Sequence, residues 1–346
     1  IEACALVTEQ DEAAFEDLWR TLGLSVDWAE QYATIDAHCR AISQASFLDL
    51  VEKGFIYSNE SPTMWDVDFQ TALAQADLED RPAKGVYLDV RFGVEGGGEF
   101  TISTTRPELI VACIGVVAHP SDARYQGLFG KRAITPLFRA PVPILPSEHA
   151  DPEKGTGIIM TSTIGDIADV DWWKSSGLPI KRVIGIDGKL LPITFGEAPF
   201  ESTDPARAES AYAELVGKSA QAARKVMATL LAAPDSAAEG GGSALVGEPR
   251  PIEHPVKFYE KGERPIEFVT TRQWFIRLLD HKAALLAQGA KVNWFPAHMQ
   301  SRYTHWVEGL NHDWCISRQR FFGVPFPAWY PIKSDGAVDY EKPIFA

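Results

Sequence analysis

The sequence predicts an α/β protein in which a mostly β module lies between two flanking segments. Apolar residues recur at helical spacing in the first part of the chain, and strand-like alternation begins near Lys84. A stretch rich in Gly, Ser and Pro ends the β module close to residue 250. We therefore divide the chain into residues 1–83, 84–250 and 251–346.

The first segment is predicted to be helical. The stretch DEAAFEDLWRTLGL begins at Asp11, a residue type that caps helix N-termini. A second helix is predicted from Asp36 to Gly54, with apolar residues on one face and a terminating glycine. This segment should present one apolar face to the rest of the protein.

The β module opens with a predicted hairpin, because GVYLDVRFGV and FTISTT flank the Gly-rich turn GVEGGGEF. Further strands are predicted at CIGVVAH, APVPIL, GTGIIM and KRVIGI, and short helices at PELIVA and DVDWWKSSG. The amphipathic stretch GKSAQAARKVMATLLA and the linker PDSAAEGGGSALVGEPRP complete the module.

The last segment returns through PIEFVTTRQWFIRLL and a predicted helix from His298 to Gly309. It then reaches NHDWCISRQRFFG, which follows neither the helical nor the strand period. From residue types alone, this run is either ordinary core packing or part of a binding site.

Composition excludes several classes of protein. The formal charge of −14 argues against a protein that coats nucleic acid nonspecifically. No apolar run approaches the roughly 18 residues of a membrane span, and the first residues do not resemble a signal peptide. The cysteines are few and lie far apart, so we expect no disulfide framework, no metal site and a cytoplasmic location.

The motif TTRPE carries hydroxyl groups and a guanidinium at a predicted strand end. Thr104, Thr105 and Arg106 precede Pro107, a residue favoured at the first position of a helix. Arg106 could reach a phosphate or a carboxylate. Alternatively, the motif is a helix start with capping threonines and a surface arginine.

Two further motifs also admit a functional and a structural interpretation. DPEKGTG offers backbone N–H groups in a Gly-rich turn that could hold a carbonyl or oxyanion, or it is a plain turn between strands. In GDIADVDWW, the acidic residues Asp166, Asp169 and Asp171 either cap a helix or provide a carboxylate for a substrate ammonium group.

Taken together and in this order, the motifs resemble class I aminoacyl-tRNA synthetases of the valine, isoleucine and leucine group. DWCISRQR followed by FFGVPFPAWY resembles the return into the catalytic nucleotide-binding fold. STTRPE, AHPSDARY, DPEKGTG and GDIADVDWW resemble the inserted editing domain. The resemblance implies a compact, barrel-like editing domain between helical and partial nucleotide-binding-fold segments.

Within this group the valyl pattern is favoured, because TTRPE is followed by VVAHP. The sequence departs from many valyl enzymes at two positions: Gly165 stands where they have a histidine, and Met160 where a lysine is common. This variant resembles the archaeal-type branch. An essential role for that histidine or lysine is therefore not expected here.

The resemblance implies an aminoacyl-tRNA deacylase domain of a valine-tRNA ligase, which hydrolyses threonyl-tRNA(Val). Threonine and valine have similar shapes, and valyl enzymes are a standard case in which a synthetic pocket discriminates only about a hundredfold. The implied partners are the acceptor end of tRNA(Val) and its threonyl or valyl group, in a monomer that does not bind membranes. Editing would need no cofactor.

ATP and magnesium are implied only for the full-length enzyme. The His-Ile-Gly-His and Lys-Met-Ser-Lys-Ser signatures that bind ATP in this class do not occur in the sequence. The chain thus resembles an internal fragment. The alternatives are a tRNA acceptor-end binding module that has lost editing, an editing domain of the isoleucyl or leucyl type, and an unrelated metal-dependent hydrolase.

The resemblance also implies roles for individual residues. Asp169 is expected to bind the substrate ammonium group, with Asp166 as the alternative, while Thr104 and Arg106 line the pocket and contact the terminal adenosine. The amides of Gly155 to Gly157 are expected to assist at the carbonyl, and Trp314 to lie near the amino-acid pocket. The complete set of substrate-binding candidates is Thr105, Asp151, Glu153, Gly155, Thr156, Gly157 and Trp314.

Overall fold

The chain forms two units, which we call the central unit and the flanking unit. The central unit comprises residues 59–273, and the flanking unit comprises residues 1–58 and 274–346. The computed structural model describes residues 2–238 and 241–346, with the backbone alone at positions 167, 171 and 175. The structure is mixed α/β, which confirms the predicted fold class.

The helices are distributed over both units. They are α1 (Glu2–Thr21), α2 (Ala37–Glu52), α3 (Ile167–Ser176), α4 (Pro205–Ala213), α5 (Ala220–Ala232), α6 (Lys282–Gly289) and α7 (Met299–Glu308). Short 3₁₀ helices span Gln75–Asp77, Pro107–Ala112, Gln126–Leu128 and Leu279–His281. None of the helices in the described ranges is long and apolar enough to cross a membrane.

The strands lie mainly in the central unit. They are β1 (Ile56–Asp66), β2 (Thr71–Ala72), β3 (Leu78–Val94), β4 (Glu99–Thr104), β5 (Cys113–Ala118), β6 (Arg132–Ile134), β7 (Pro141–Pro146), β8 (Ile158–Ser162), β9 (Leu245–Tyr259), β10 (Glu267–Ile276), β11 (Trp314–Cys315), β12 (Ala328–Trp329) and β13 (Ile344–Phe345).

The main sheet of the central unit has the strand order β4-β3-β6-β7-β5-β8, and β9 also pairs with β3. The pair β5 and β7 is parallel, whereas β3–β4, β3–β6, β6–β7 and β5–β8 are antiparallel. The strands at the two ends of this order, β4 and β8, contact each other. The sheet therefore curls toward closure, as the barrel-like prediction requires.

A long ladder between β3 and β9 carries the chain into and out of this sheet. It runs from the pair Leu78–Tyr259 to the pair Val90–Leu245, with an irregularity after Tyr87. The predicted domain boundaries at residues 84 and 250 both fall inside this ladder. The two units of the structure divide near residues 59 and 273.

The core of the central unit lies inside the curled sheet and under its helices. Val90, Phe92 and Ile102 from the hairpin are fully buried, as are Val116 and Ile144 from the next strands. Helix α5 packs against the 3₁₀ helix 107–112. Its buried face comprises Ala220, Ala223, Met227 and Leu231, so its apolar stripe was predicted correctly.

The flanking unit has a separate aromatic core. Phe47 and Trp274 meet edge to face with their ring centroids 5.4 Å apart, and Ile56 is buried with them. Phe326 packs against both rings. This cluster joins helix α2 to the strands of the return segment. The predicted cap of α2 is confirmed, because Asp36 accepts a hydrogen bond from the Cys39 amide.

Three predicted elements differ from the structure. Helix α1 begins at Glu2, because the residues before Asp11 are good helix formers that continue the helix. KRVIGI makes only the isolated bridge Ile184–Leu190, and the backbone of Lys181 is engaged by the Thr163 hydroxyl. The second half of the predicted linker is strand β9, which tolerates its prolines because it pairs on one side with β3.

Candidate functional site

The three motifs of the predicted site come together near the end of β4. Strand β4 ends at Thr104 and β8 at Ser162, four residues before α3 is capped by Asp166. The guanidinium Nη1 of Arg106 donates to the carbonyl oxygen of Gly165 at 3.0 Å. A Cβ built on Gly155 would lie 3.3 Å from the Ser103 Cβ. The Thr-Thr-Arg, Gly-rich and acidic motifs are therefore neighbours.

Arg106 is held by protein groups at each of its three guanidinium nitrogens. Besides the Gly165 carbonyl, Nε donates to Glu108 at 3.0 Å and Nη2 donates to Glu267 at 2.6 Å. Burial alone would lower the pKa of Arg106, but the carboxylates of Glu267 and Glu108 outweigh it and raise the pKa further above its ordinary value. Arg106 is thus a fixed cation in the wall of the site.

Glu108 is fully buried and links Arg106 to helix α5. Its Oε1 accepts from Arg106 and also from Arg224 Nη2 at 2.8 Å, while Oε2 accepts from Arg224 Nε at 3.1 Å. Its side chain has no exposed surface, whereas that of Arg224 is 41% exposed. The four charges of Arg106, Glu108, Arg224 and Glu267 therefore balance one another around a buried carboxylate.

The two threonines of TTRPE have different environments. Thr104 is buried, and its hydroxyl accepts a hydrogen bond from the Arg106 amide at 3.0 Å. Thr105 directly follows the last residue of β4 and is partly exposed. The 3₁₀ helix begins at Pro107, as the motif predicts.

Asp166 and Asp169 have distinct roles in the structure. Asp166 is exposed and caps α3, where its Oδ1 accepts from the Asp169 amide at 2.8 Å. The carboxylate of Asp169 turns back toward β8, and its Oδ2 accepts from both the amide and the hydroxyl of Ser162, at 3.2 and 3.1 Å. The side chain of Asp171 lies outside the described residues.

Asp169 is the most strongly perturbed acid of the site. Burial and the nearby charge of Asp166 raise its pKa to about 8, although the Ser162 hydrogen bonds and the Arg106 charge act in the opposite direction. Asp169 Oδ1 takes no hydrogen bond from the part of the chain that the structure describes. A cationic ligand at that oxygen would favour the ionised carboxylate.

The Gly-rich turn is built from local hydrogen bonds. Asp151 accepts from the amides of Glu153 and Lys154, and the amide of Gly157 donates to the Lys154 carbonyl. The acidic side chains of Asp151 and Glu153 are exposed. Within the described ranges, the amides of Gly155 and Thr156 have no acceptor, whereas the Gly157 amide is used inside the turn.

Both the backbone conformation and the close packing at position 157 require glycine. Its φ is +79°, and an added Cβ would meet Arg124 Nη2 at 2.3 Å. Arg124 is bound to Asp122 and donates to the Pro152 carbonyl, and Tyr125 donates to the Thr156 carbonyl at 2.6 Å. The segment AHPSDARY therefore supports the Gly-rich turn, a role that its sequence did not reveal.

Trp314 belongs to the flanking unit. Its backbone pairs with Ile276, and its side chain is about half exposed at 51%. Together with Phe47, Arg318 and Phe326 it lines a mainly apolar groove of about 590 Å³. The other candidate residues lie in the central unit.

Sequence reasoning missed Ser162, Glu108, Glu267 and Arg224. Glu108 is the last residue of TTRPE and Ser162 stands three residues before GDIADVDWW, but only their contacts show what they hold. Glu267 and Arg224 lie far from TTRPE in sequence, so no spacing rule connects them to it. No group of three His, Cys, Asp or Glu side chains suited to a metal ion occurs among the described residues.

The family model for class I tRNA synthetases (I, L, M and V) matches residues 1–343. The chain belongs to this synthetase family. A valine-tRNA ligase from Thermobifida fusca is 49% identical to it over 99% of this chain and 38% of that protein. Another from Salinispora arenicola is 50% identical over 99% of this chain and 39% of its own length. This class I synthetase chain thus spans about two fifths of these relatives.

Among solved structures, the LeuRS of Agrobacterium radiobacter K84 in a ternary LeuRS-tRNA-LeuAMS complex matches with 16% identity and a TM-score of 0.31. That match covers 95% of this chain and 40% of the LeuRS chain. The predicted resemblance to valine-tRNA ligases is confirmed by the sequence relatives. The archaeal-type assignment stays a prediction, since both of these relatives are bacterial.

Proposed function

We propose that this chain is the editing part of a valine-tRNA ligase and hydrolyses the ester of threonyl-tRNA(Val). The observation that carries the proposal is the partly buried Asp169 carboxyl, which has one oxygen bound by Ser162 and the other free among the described residues. Perturbed acids cluster at functional sites. A pocket that selects threonine would complement a synthetic site that cannot reject it.

Asp169 binds the α-ammonium group of the aminoacyl ester in this proposal. Its pKa of about 8 means that a bound cation would be needed to hold it fully ionised near neutral pH. Asp166 is already engaged as the cap of α3, which favours Asp169 over it as the anchor. Arg106 fixes the Gly165 carbonyl and supports this loop, rather than offering a free guanidinium to the terminal adenosine.

To select threonine, the pocket needs a polar group that pairs with the threonine hydroxyl. When valine is bound instead, that buried group has no partner, which costs about 1–3 kcal/mol of binding free energy. Thr105 is partly exposed just after the end of β4 and is our candidate for this contact. The amides of Gly155 and Thr156 are the candidate donors to the ester carbonyl. The Gly157 amide is excluded from that role because it donates to Lys154.

Hydrolysis needs a positioned water and no covalent enzyme intermediate. The water oxygen adds to the ester carbonyl carbon, and the bond between that carbon and the ribose oxygen then breaks. The ribose oxygen takes up a proton from the attacking water, so the products are threonine and a tRNA with a free ribose hydroxyl. Preorganised donors at the carbonyl oxygen stabilise the charge that develops there.

The full-length enzyme is proposed to use ATP and magnesium for synthesis of valyl-tRNA. The signature motifs that hold ATP in this class are absent from the present sequence, so no step here depends on either group. The proposed partner is the acceptor end of tRNA(Val), with threonine or valine attached. We also propose a monomer that acts in the cytoplasm without membrane contact.

The test compares release of threonine and of valine from tRNA(Val) charged with either amino acid. We expect the wild-type chain to release threonine faster than valine, and Asp169→Ala to abolish that release, because both esters carry the ammonium group that Asp169 binds. The control is Asp80→Ala, which removes an exposed carboxylate of the β3–β9 ladder that pairs with Lys257. Equal activity of Asp169→Ala and wild type would eliminate Asp169 as the anchor.

Binding of tRNA without any release would favour the alternative of an acceptor-end binding module that has lost editing. Release that prefers a valyl or isoleucyl ester would favour an editing domain of the isoleucyl or leucyl type.

A further inference from the structure

Gly165 lies at the point where a side chain would collide with the Asp169 carboxyl. A Cβ built at position 165 would lie 1.8 Å from Asp169 Oδ2 and 2.9 Å from its Cγ. It would also approach the Ser162 hydroxyl to 2.8 Å. These separations are far below van der Waals contact, so no side chain fits while Asp169 is bound to Ser162.

The backbone of Gly165 is held on both sides and cannot easily move away. Its carbonyl accepts from Arg106 Nη1 at 3.0 Å, and Arg106 is fixed by the carboxylates of Glu108 and Glu267. The next residue, Asp166, caps helix α3. The least costly response to an added side chain is therefore rotation of the Asp169 carboxyl away from Ser162.

Contact with Asp169, rather than backbone strain, reserves this position for glycine. The backbone of Gly165 lies outside the left-handed region, unlike Gly155 at φ +61° and Gly157 at φ +79°. An alanine could adopt the backbone conformation of Gly165 without strain. Replacing it thus tests the contacts with Asp169 and Ser162, and Gly127 provides a matched control, since a Cβ there would meet nothing within 4 Å.

We propose that Gly165 is a positioning residue of the site: its missing side chain lets the Asp169 carboxyl bind Ser162 through Oδ2 and present Oδ1 to the ligand ammonium group. This inference rests on the proposed function for the identity of the ligand. The position of the carboxyl follows from the contacts around it. Any side chain at position 165 would occupy the space that this carboxyl fills.

Charges on each neighbouring element affect this carboxyl. Asp166 on α3 disfavours its ionised form, whereas Arg106 after β4 favours it. Cys113 on β5 pairs with Ser162, and burial, partly assisted by Asp169, raises the pKa of its thiol to about 12. If alanine at position 165 displaces the carboxyl toward solvent, relief from burial should lower the pKa of Asp169 toward its ordinary value.

The experiment uses Gly165→Ala, Asp169→Ala, the double variant and the Gly127→Ala control in this chain. The ligand is an adenosine that carries threonine through an amide in place of the ester. Affinity is measured by calorimetry, the pKa of Asp169 by carbon NMR of its carboxyl, and stability by thermal unfolding. The NMR and unfolding measurements do not require the ligand or any catalytic activity.

We expect Gly165→Ala to weaken ligand binding about 10- to 100-fold, the effect of losing one charge-assisted hydrogen bond. Asp169→Ala should weaken it similarly, and the double variant no further. The added methyl group should lower the melting temperature of wild type but not that of Asp169→Ala, because removal of the carboxyl makes room for it.

Several outcomes would overturn the inference. Binding by Gly165→Ala equal to wild type, with Asp169→Ala weak, would show that the carboxyl keeps its position. An unchanged pKa of Asp169 in Gly165→Ala would lead to the same conclusion. If wild type does not bind the ligand, or Asp169→Ala binds it equally well, the proposed function fails, while NMR and unfolding still decide whether Gly165 positions the carboxyl.

Discussion

Glu108→Ala tests whether the buried carboxylate at the end of TTRPE stabilises the candidate site. The substitution removes a side chain with no exposed surface and leaves two guanidinium groups without their shared partner. Arg106 would keep its bonds to Glu267 and Gly165, whereas Arg224 would lose both of its bonds to Glu108. The loss should therefore loosen α5 from the 3₁₀ helix beside the site.

Removal of one member of a buried ion pair destabilises a protein by about 3–5 kcal/mol. Arg224 is 41% and Arg106 22% exposed, so water compensates part of the loss and the lower end, about 3 kcal/mol, applies. For a unit of this size, each kcal/mol lowers the melting temperature by about 2–4 °C. We expect a decrease of about 6–12 °C.

The matched control is Asp80→Ala, which removes the exposed ion pair between Asp80 and Lys257 on the β3–β9 ladder. Exposed pairs contribute at most about 1 kcal/mol, so this variant should melt within about 4 °C of wild type. Thermal unfolding followed by circular dichroism measures both. If the two variants melt at the same temperature, Glu108 does not stabilise the network and the argument from burial is wrong.

Two further predictions concern titration and backbone. The folded-state pKa of Asp169, about 8, exceeds its ordinary value of 3.8, so its stabilising contribution is complete below about pH 4 and is lost as the pH rises through 8. Between pH 6 and pH 9, the free energy of unfolding of wild type should therefore fall by about 2–3 kcal/mol relative to that of Asp169→Asn, as measured by urea unfolding. Parallel pH profiles of the two proteins would refute a raised pKa of Asp169. Gly157→Ala should destabilise the Gly-rich turn by at least about 1–2 kcal/mol, because the φ angle of Gly157 is left-handed. The control Gly127→Ala should be nearly neutral in the same melting assay. Equal effects of the two substitutions would contradict the need for glycine at position 157.

Local elements of the fold were predictable because their signals are local. The hairpin of β3 and β4 follows from alternation on both sides of a Gly-rich turn, and α2 follows from its Asp36 cap. The β3–β9 ladder was not predictable in the same way. Its strands are far apart in sequence, and β9 contains prolines that normally argue against a strand.

The candidate site was predicted as a set of motifs, but the function of individual residues within it was not. Sequence placed Arg106 among the groups that contact ligand, and the structure shows protein partners at each of its nitrogens. The contact with Glu267 was not predictable, because only the folded chain brings that residue near Arg106. The sequence identified Gly165 as a departure from the family pattern. The reason for a glycine there could not be predicted, because it depends on where the folded chain places the Asp169 carboxyl.

The β3–β9 ladder has a consequence for how the flanking unit folds. Bringing the ends of a flexible connection of about 200 residues together costs roughly 4–5 kcal/mol of chain entropy. Once the central unit has folded, Leu78 and Tyr259 are paired neighbours, so the long connection behaves like a short tether. Early folding of the central unit would thus remove most of the entropic barrier to joining the two separated parts of the flanking unit.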